Sequence, residues 1–209
     1  PPRMWSHDES LVDHPFDLER AKQLMKEAAE EGGFELPLPL KLSVMSQARP
    51  YMPQPTTIAG FLKDSLHKIG IELSVQGRDV NEHFKHLMGG GHQLGLAGWT
   101  SDNSDPDNFL YQPLDPDNIG SEGREGNNLS RFRDEKFHEL LLAGQKEMNL
   151  DRRLPLYQEA QAIVIDGRND NTWLLHDIGP TTKKEKRSRK TSLRRATLTT
   201  ETRRYWLAI

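Results

Sequence analysis

Apolar residues at Leu18, Ala21, Met25 and Ala28 follow the period of one helix face, and the period then changes. From Leu38 they fall at every second position, through Leu40, Leu42 and Val44, which predicts a strand. Asp17 supplies an N-cap for the helix, which runs to about Glu31, and Gly32-Gly33 supplies its stop. A second helix is predicted from Pro55 to about Lys68, with Ile58, Leu62, Leu66 and Ile69 in one stripe and Gly70 as its C′ residue. Ile71, Leu73 and Val75 alternate as the next strand. Asp79 or Asn81 caps a short helix carrying Phe84, Leu87 and Met88, which Gly89-Gly90-Gly91 terminates. Leu94 and Leu96, leading to Trp99, make a third strand. Strands alternating with helices predict an α/β fold with a parallel sheet covered by helices, in which ligands sit beyond the carboxyl ends of the strands.

Beyond Trp99 the pattern fades. Residues 100–130 are rich in Asp, Asn, Pro and Gly without an apolar period, which predicts a long loop, and loops of that length in compact domains are often functional. Asp134 then caps a helix to about Met148 and Asp151 another to about Val164, a predicted helical hairpin. Thr172-Trp173-Leu174-Leu175-His176 reads as a strand, and the chain closes on Tyr205-Trp206-Leu207. No internal repeat is visible.

Composition narrows the class. The chain has 209 residues, 34% of them hydrophobic, enough for one sizeable core arranged in one or two domains. No run approaches the roughly 18 uncharged apolar residues of a membrane helix. There is no cysteine, so neither a disulfide framework nor a thiolate metal site can form. The net charge of −3 conceals an asymmetry, because residues 181–209 carry ten Lys and Arg against two Glu and leave a strongly acidic body. Such a tail can bind nucleic acid or anionic lipid. Thr, Leu and Tyr-Trp interrupt its charges in a strand-like way, which favours a solvated edge paired with acidic surface, and no nucleic-acid partner is expected.

The candidate chemistry lies just after two strand ends. Arg49, before Pro50-Tyr51, offers the planar fork that binds a carboxylate through two hydrogen bonds. Gly98-Trp99-Thr100-Ser101-Asp102-Asn103-Ser104-Asp105-Pro106-Asp107-Asn108-Phe109 offers an aromatic platform in Trp99 and an acidic partner for an ammonium in Asp102. One cationic and one anionic group suggest a zwitterionic ligand. Against this, Arg49 can be a surface residue before a proline turn, and Asp102 an Asx-turn residue bonding its own backbone. Asp105 and Asp107 are read as turn chemistry. Calcium is disfavoured by the spacing and by Pro106, and His83 and His86, one turn apart, read as a solvated face rather than as ligands for metal or haem. No nucleophile-base arrangement or phosphate loop stands out, so neither an enzyme, a metal nor a cofactor is expected.

The order and spacing of several segments carry a resemblance. Pro1-Pro2-Arg3-Met4-Trp5, Phe16-Asp17-Leu18-Glu19-Arg20-Ala21-Lys22, Arg49-Pro50-Tyr51-Met52-Pro53, Lys68-Ile69-Gly70-Ile71, the Gly-Trp-Thr loop with Asp-Pro-Asp-Asn-Phe, and Asn128-Leu129-Ser130-Arg131-Phe132 together resemble the dipeptide-binding members of extracytoplasmic solute-binding family 5, which serve bacterial ABC importers. The resemblance covers about four fifths of the chain. It implies a lobe of the periplasmic-binding-protein type II-like fold, with residues 1–176 as most of the second lobe of a two-lobed protein and 177–209 as a basic return segment toward the first. The chain is shorter than the family's mature proteins and is expected to be part of one, with any export signal outside it. Arg49, Tyr51, Trp99, Thr100, Ser101 and Asp102 are the implied ligand-binding residues, Arg49 for a peptide's C-terminus and Asp102 for its N-terminus. The implied partners are short peptides and ABC permease subunits, the implied location is periplasmic or extracytoplasmic, and any membrane association runs through the permease or a lipid anchor. Some relatives carry a disulfide after the Asp-Pro-Asp-Asn segment; here Leu114–Gly120 is expected to hold its shape by turns alone. The alternatives are a ligand-sensing regulator reusing the same lobe, or the same fold carrying haem or cationic peptides.

Overall fold

The structure is a computed structural model that describes residues 4–11, 15–120 and 124–166. They form two compact units, one of residues 15–98 and one of residues 4–11 with 99–166. The expected strand at Thr172–His176, the basic tail and its aromatic close lie outside the described residues.

The first unit is built on one central strand. Helix α1 (Leu18–Gly32) begins where Asp17 accepts the Arg20 N–H and ends at Gly33, whose φ of 62° suits a residue without Cβ. Strand β1 (Leu38–Met45), helix α2 (Pro55–His67), strand β2 (Ile71–Arg78), helix α3 (Val80–Met88) and strand β3 (Leu94–Gly95) follow. The sheet order is β2–β1–β3 and both pairings are parallel, with Leu38 opposite Ile71, Met45 opposite Arg78 and Leu42 opposite Leu94. A parallel strand flanked on both sides is covered on both faces, so β1 is buried without interruption from Leu42 to Met45. Leu40, Leu42, Val44, Leu62, Leu66, Ile71 and Leu73 form the core. The third strand is two residues long, shorter than its apolar pattern suggests. The Leu96 N–H still reaches the Ser43 carbonyl at 3.0 Å, which continues the alignment toward Gly98.

Two expectations are corrected here. His83 and His86 do not form a solvated face: α3 turns His83 and Leu87 onto β1, and His83 is completely buried. Its Nε2–H donates to the Leu96 carbonyl at 2.8 Å, which leaves Nδ1 to accept the Ser43 hydroxyl at 3.0 Å, and the Ser43 oxygen accepts from Arg78 at 2.9 Å. Every polar atom of this buried group is thereby satisfied, the condition for keeping an imidazole in a core. Residues 100–130 are not one loop either. They contain helix α4 (Asp107–Leu114) and a 3₁₀ turn at Pro116–Asn118. Leu110, Tyr111 and Leu114 of α4 pack against the hairpin core of the second unit.

That hairpin joins helix α5 (Glu135–Lys146), capped by Asp134 as expected, to helix α6 (Leu150–Asp166). Asn149 caps α6 instead of Asp151, its side-chain oxygen accepting the Asp151 and Arg152 N–H groups. Phe137, Leu140, Leu141, Tyr157 and Ala160 fill the hairpin. Tyr157 lies against Gly144, where a Cβ would sit 2.9 Å from the ring.

Burial, together with repulsion from Arg78 and His86, holds the His83 imidazole below its ordinary pKa, while its bond to the Leu96 carbonyl opposes this. A histidine depressed in the folded state contributes stability that is complete above about pH 6.5 and is lost as pH falls toward the folded value, by at most about 1.4 kcal/mol per pH unit. His138 titrates with the opposite sign, because its bond to Asp115 raises it. Comparison with His83→Gln, neutral at every pH, therefore isolates the His83 contribution. Between pH 7.5 and 5.5 the wild-type melting temperature should fall about 2–4 °C further than that of H83Q. Parallel curves would show that His83 is not held neutral by this network.

Candidate functional site

In the first unit, β1 delivers the chain into a tight turn. The Arg49 N–H donates to the Met52 carbonyl at 3.0 Å and the Met52 N–H to the Arg49 carbonyl at 2.9 Å, while Met52 is buried in the core beneath. Pro50 and Tyr51 cap this reciprocal pair, so Arg49 stands on a backbone fixed at both ends. Its guanidinium is half-buried and makes no hydrogen bond or ion pair among the described residues. Tyr51 lies against Gly98, where any Cβ would collide with the ring. Burial raises the Tyr51 phenol, with nearby Arg49 opposing, so it stays neutral at physiological pH. The structure thus brings Arg49 and Tyr51 together and sets Tyr51 against the residue that precedes Trp99.

In the second unit, the loop from Trp99 is tied down from within. The Trp99 indole N–H donates to Asn108 Oδ1 at 2.9 Å, and the Asp102 N–H reaches the same oxygen at 3.2 Å. Ser101 Oγ donates to the Asn103 carbonyl and accepts the Asn103 N–H. Asn103 accepts the Asp105 N–H at 2.9 Å and Asp105 the Asp107 N–H at 3.0 Å. The Asx-turn alternative therefore applies to Asn103 and Asp105; the Asp102 carboxylate is exposed and bonds no described residue. Thr100 is exposed and Trp99 half-buried.

Asp105 and Asp107 do more than turn the chain, which corrects their assignment to that role. Arg153 of α6 grips Asp105 with both terminal nitrogens, at 2.5 and 3.0 Å, and donates through Nε to the Gly144 carbonyl at 2.7 Å. Its guanidinium lies 5.6 Å from the Trp5 ring centre and 5.1 Å from that of Tyr157, within cation–π range. Asp107 accepts from Gln145 at 3.0 Å and Tyr157 at 3.3 Å. Burial raises the Asp107 carboxyl, with those two bonds opposing. Asn108, Arg153, Trp5 and Tyr157 were not singled out as site residues from the sequence. Trp5 had a signal in the Pro-Pro-x-x-Trp segment; Arg153, far from Asp105 along the chain, had none.

The Leu114–Gly120 segment holds its shape by more than turns. Asp115, completely buried, accepts the Asp117 N–H and a bond from His138 at 2.9 Å. Asn128 donates to the carbonyls of Leu114, Asp115 and Phe132. Asp115, Asp117 and His138 bring three potential ligand atoms within 4.8 Å of one another. Because Asp115 is occupied by the turn and by His138, the cluster reads as a fastening of this segment.

Comparisons with known proteins identify the lineage. Residues 1–121 match the model of bacterial extracellular solute-binding proteins, family 5 Middle, and the chain belongs to that family. It is 35% identical over 164 residues to di/tripeptide-binding protein 3 of Pseudomonas aeruginosa, covering 78% of this chain and 29% of the relative. It is 31% identical over 166 residues to the dipeptide-binding protein of Escherichia coli, covering 79% and 30%. Heme-binding protein A of Haemophilus influenzae is 33% identical over 181 residues, covering 86% and 31%. The chain thus spans about three tenths of the length of these relatives. Among solved structures, a periplasmic binding protein of Helicobacter pylori in complex with the peptide STSA superposes with a TM-score of 0.68 at 28% identity, over 78% of this chain and 30% of that one. A dipeptide-binding protein from Pseudoalteromonas in complex with Met-Leu gives 0.68 at 26% identity, over 79% and 31%. The expected α/β fold of the periplasmic-binding-protein type II-like class is thereby established.

Replacing Asp105 by Asn or Arg153 by Gln should lower the unfolding free energy by about 1–3 kcal/mol in urea denaturation, since either leaves a half-buried charge without its partner. The double variant should show a coupling above about 0.5 kcal/mol; additive losses would mean that the pair does not join loop to hairpin.

Proposed function

We propose that this chain is part of the substrate-binding component of an ABC peptide importer, a binding protein and not an enzyme, that takes dipeptides by their charged ends. Arg49 receives the peptide carboxylate through its planar fork and Asp102 the α-ammonium, with Tyr51, Trp99, Thr100 and Ser101 lining the ligand. Two residues of extended chain span at most about 7 Å between the charged ends of such a ligand. The observation that carries this reading is a pair of opposite charges, Arg49 and Asp102, each on a fastened backbone and neither bonded to any described residue. The names of the relatives, di/tripeptide- and dipeptide-binding proteins, support the same ligand class.

In this reading residues 1–176 are most of the second lobe of a two-lobed protein and 177–209 return toward the first. Capture in the cleft between lobes is followed by closure, and the liganded closed form is what the permease subunits recognise. The protein works outside the cytoplasmic membrane, as the family description implies. A haem cargo has support in the name of the Haemophilus relative. His83, however, has both ring nitrogens engaged and is completely buried, so it offers no axial ligand.

Calorimetry on the full-length protein that carries this chain tests the assignment. Charge-assisted hydrogen bonds contribute roughly 1.5–3 kcal/mol each, so N-acetylating a dipeptide should weaken binding about tenfold or more. Asp102→Ala should weaken the free-amine form to a similar degree and erase the discrimination. Equal affinity of the unaltered protein for both forms would remove Asp102 from the ammonium role.

A further inference from the structure

The loop that carries Trp99 and Asp102 has no regular backbone pairing of its own, yet its two functional ends converge on one atom. Asn108 Oδ1 accepts both the Trp99 indole N–H, at 2.9 Å, and the Asp102 backbone N–H, at 3.2 Å. Both partners are donors only, which forces the amide oxygen, not its nitrogen, to face them. Asn108 sits in the first turn of α4, and α4 is anchored beside it: Asp107 is held by Gln145 and Tyr157, and Asp105 by Arg153. An anchored helix thus presents a single acceptor to the loop.

We propose that Asn108 is the positioning residue of the ligand site, fixing the aromatic wall and the ammonium-binding carboxylate relative to each other through one oxygen. The inference rests on the dipeptide reading above. The Asn108–Trp99 bond orients the indole plane, and the Asn108–Asp102 bond fixes the Cα from which the carboxylate projects. Preorganisation of this kind removes an ordering cost that each bound ligand would otherwise meet. Asn108 acts through Trp99 and Asp102, and no contact of its own with ligand is required.

The test uses Asn108→Ala, which removes the acceptor, and Asn108→Asp, which keeps an oxygen in the same place. In the ¹⁵N-labelled protein the Trp99 indole proton, assigned by its disappearance in Trp99→Phe, should exchange slowly with water in the unaltered protein and in N108D and fast in N108A. Calorimetry with a free-amine dipeptide on the full-length protein should show N108A about tenfold weaker, with its melting temperature within about 2 °C of the original. Unchanged indole exchange in N108A, or unchanged affinity, overturns the positioning role. If the unaltered protein binds no dipeptide, the functional reading fails instead, and the indole proton alone then decides whether Asn108 fixes the loop.

Discussion

An acid-rich loop holds one shape when its polar groups find fixed partners, and in the Trp99–Asn108 loop those partners are internal for every acid but Asp102. Asn103, Asp105, Asp107 and Asn108 each accept hydrogen bonds from the loop or from the helical hairpin, and Arg153 neutralises Asp105 with a two-pronged contact. Asp102 alone is left outward without a described partner. That division matters chemically: saturated carboxylates are framework, and an unsaturated one on a fixed backbone is ready to meet a cation. Tyr157 links the two sides of the arrangement, donating to Asp107 while its ring lies under the Arg153 guanidinium and beside Gly144.

The first unit solves a parallel problem for a cation. A central parallel strand buried on both faces ends at a reciprocal backbone pair between Arg49 and Met52, so the arginine leaves the sheet on a fixed turn. The same strand contributes Ser43, which with His83 and Arg78 ties α3 and the end of β3 to the sheet. The chain therefore enters the Gly98-Trp99 segment from a braced position. Gly98 has a separate reason to lack a side chain, since the Tyr51 ring occupies the space a Cβ would need.

Elements whose signal is local were legible in the sequence. The residues from Asp17 to Gly95 announce their caps, stripes and alternations within a few positions, and the structure follows them to within about three residues, β3 excepted. Helix α4 was hidden because Pro106 precedes it, Pro113 lies inside it and Asp and Asn open it, a composition that mimics a loop; Leu110, Tyr111 and Leu114 were its faint stripe. His83 was misread because a polar residue at a buried helical position breaks the stripe, and only its spacing of four from Leu87 hinted otherwise. Arg153 could not have been found, because tertiary packing alone brings Asp105 and Gly144 to it, and the same holds for the bonds of Asn128 to Leu114 and Asp115. The candidate site itself was proposed from residue types and the loops that carry them. The single oxygen that joins Trp99 to Asp102 was not legible there, since it depends on where α4 begins.

Selection of a peptide by its two charged ends is the claim on which the functional account turns. A crystal structure of the full-length protein with a bound dipeptide tests it most directly. The account predicts the ligand carboxylate paired with Arg49 in a two-pronged contact and the α-ammonium within hydrogen-bond distance of Asp102. A dipeptide bound with either terminus held by other residues, or with its backbone reversed, would contradict it.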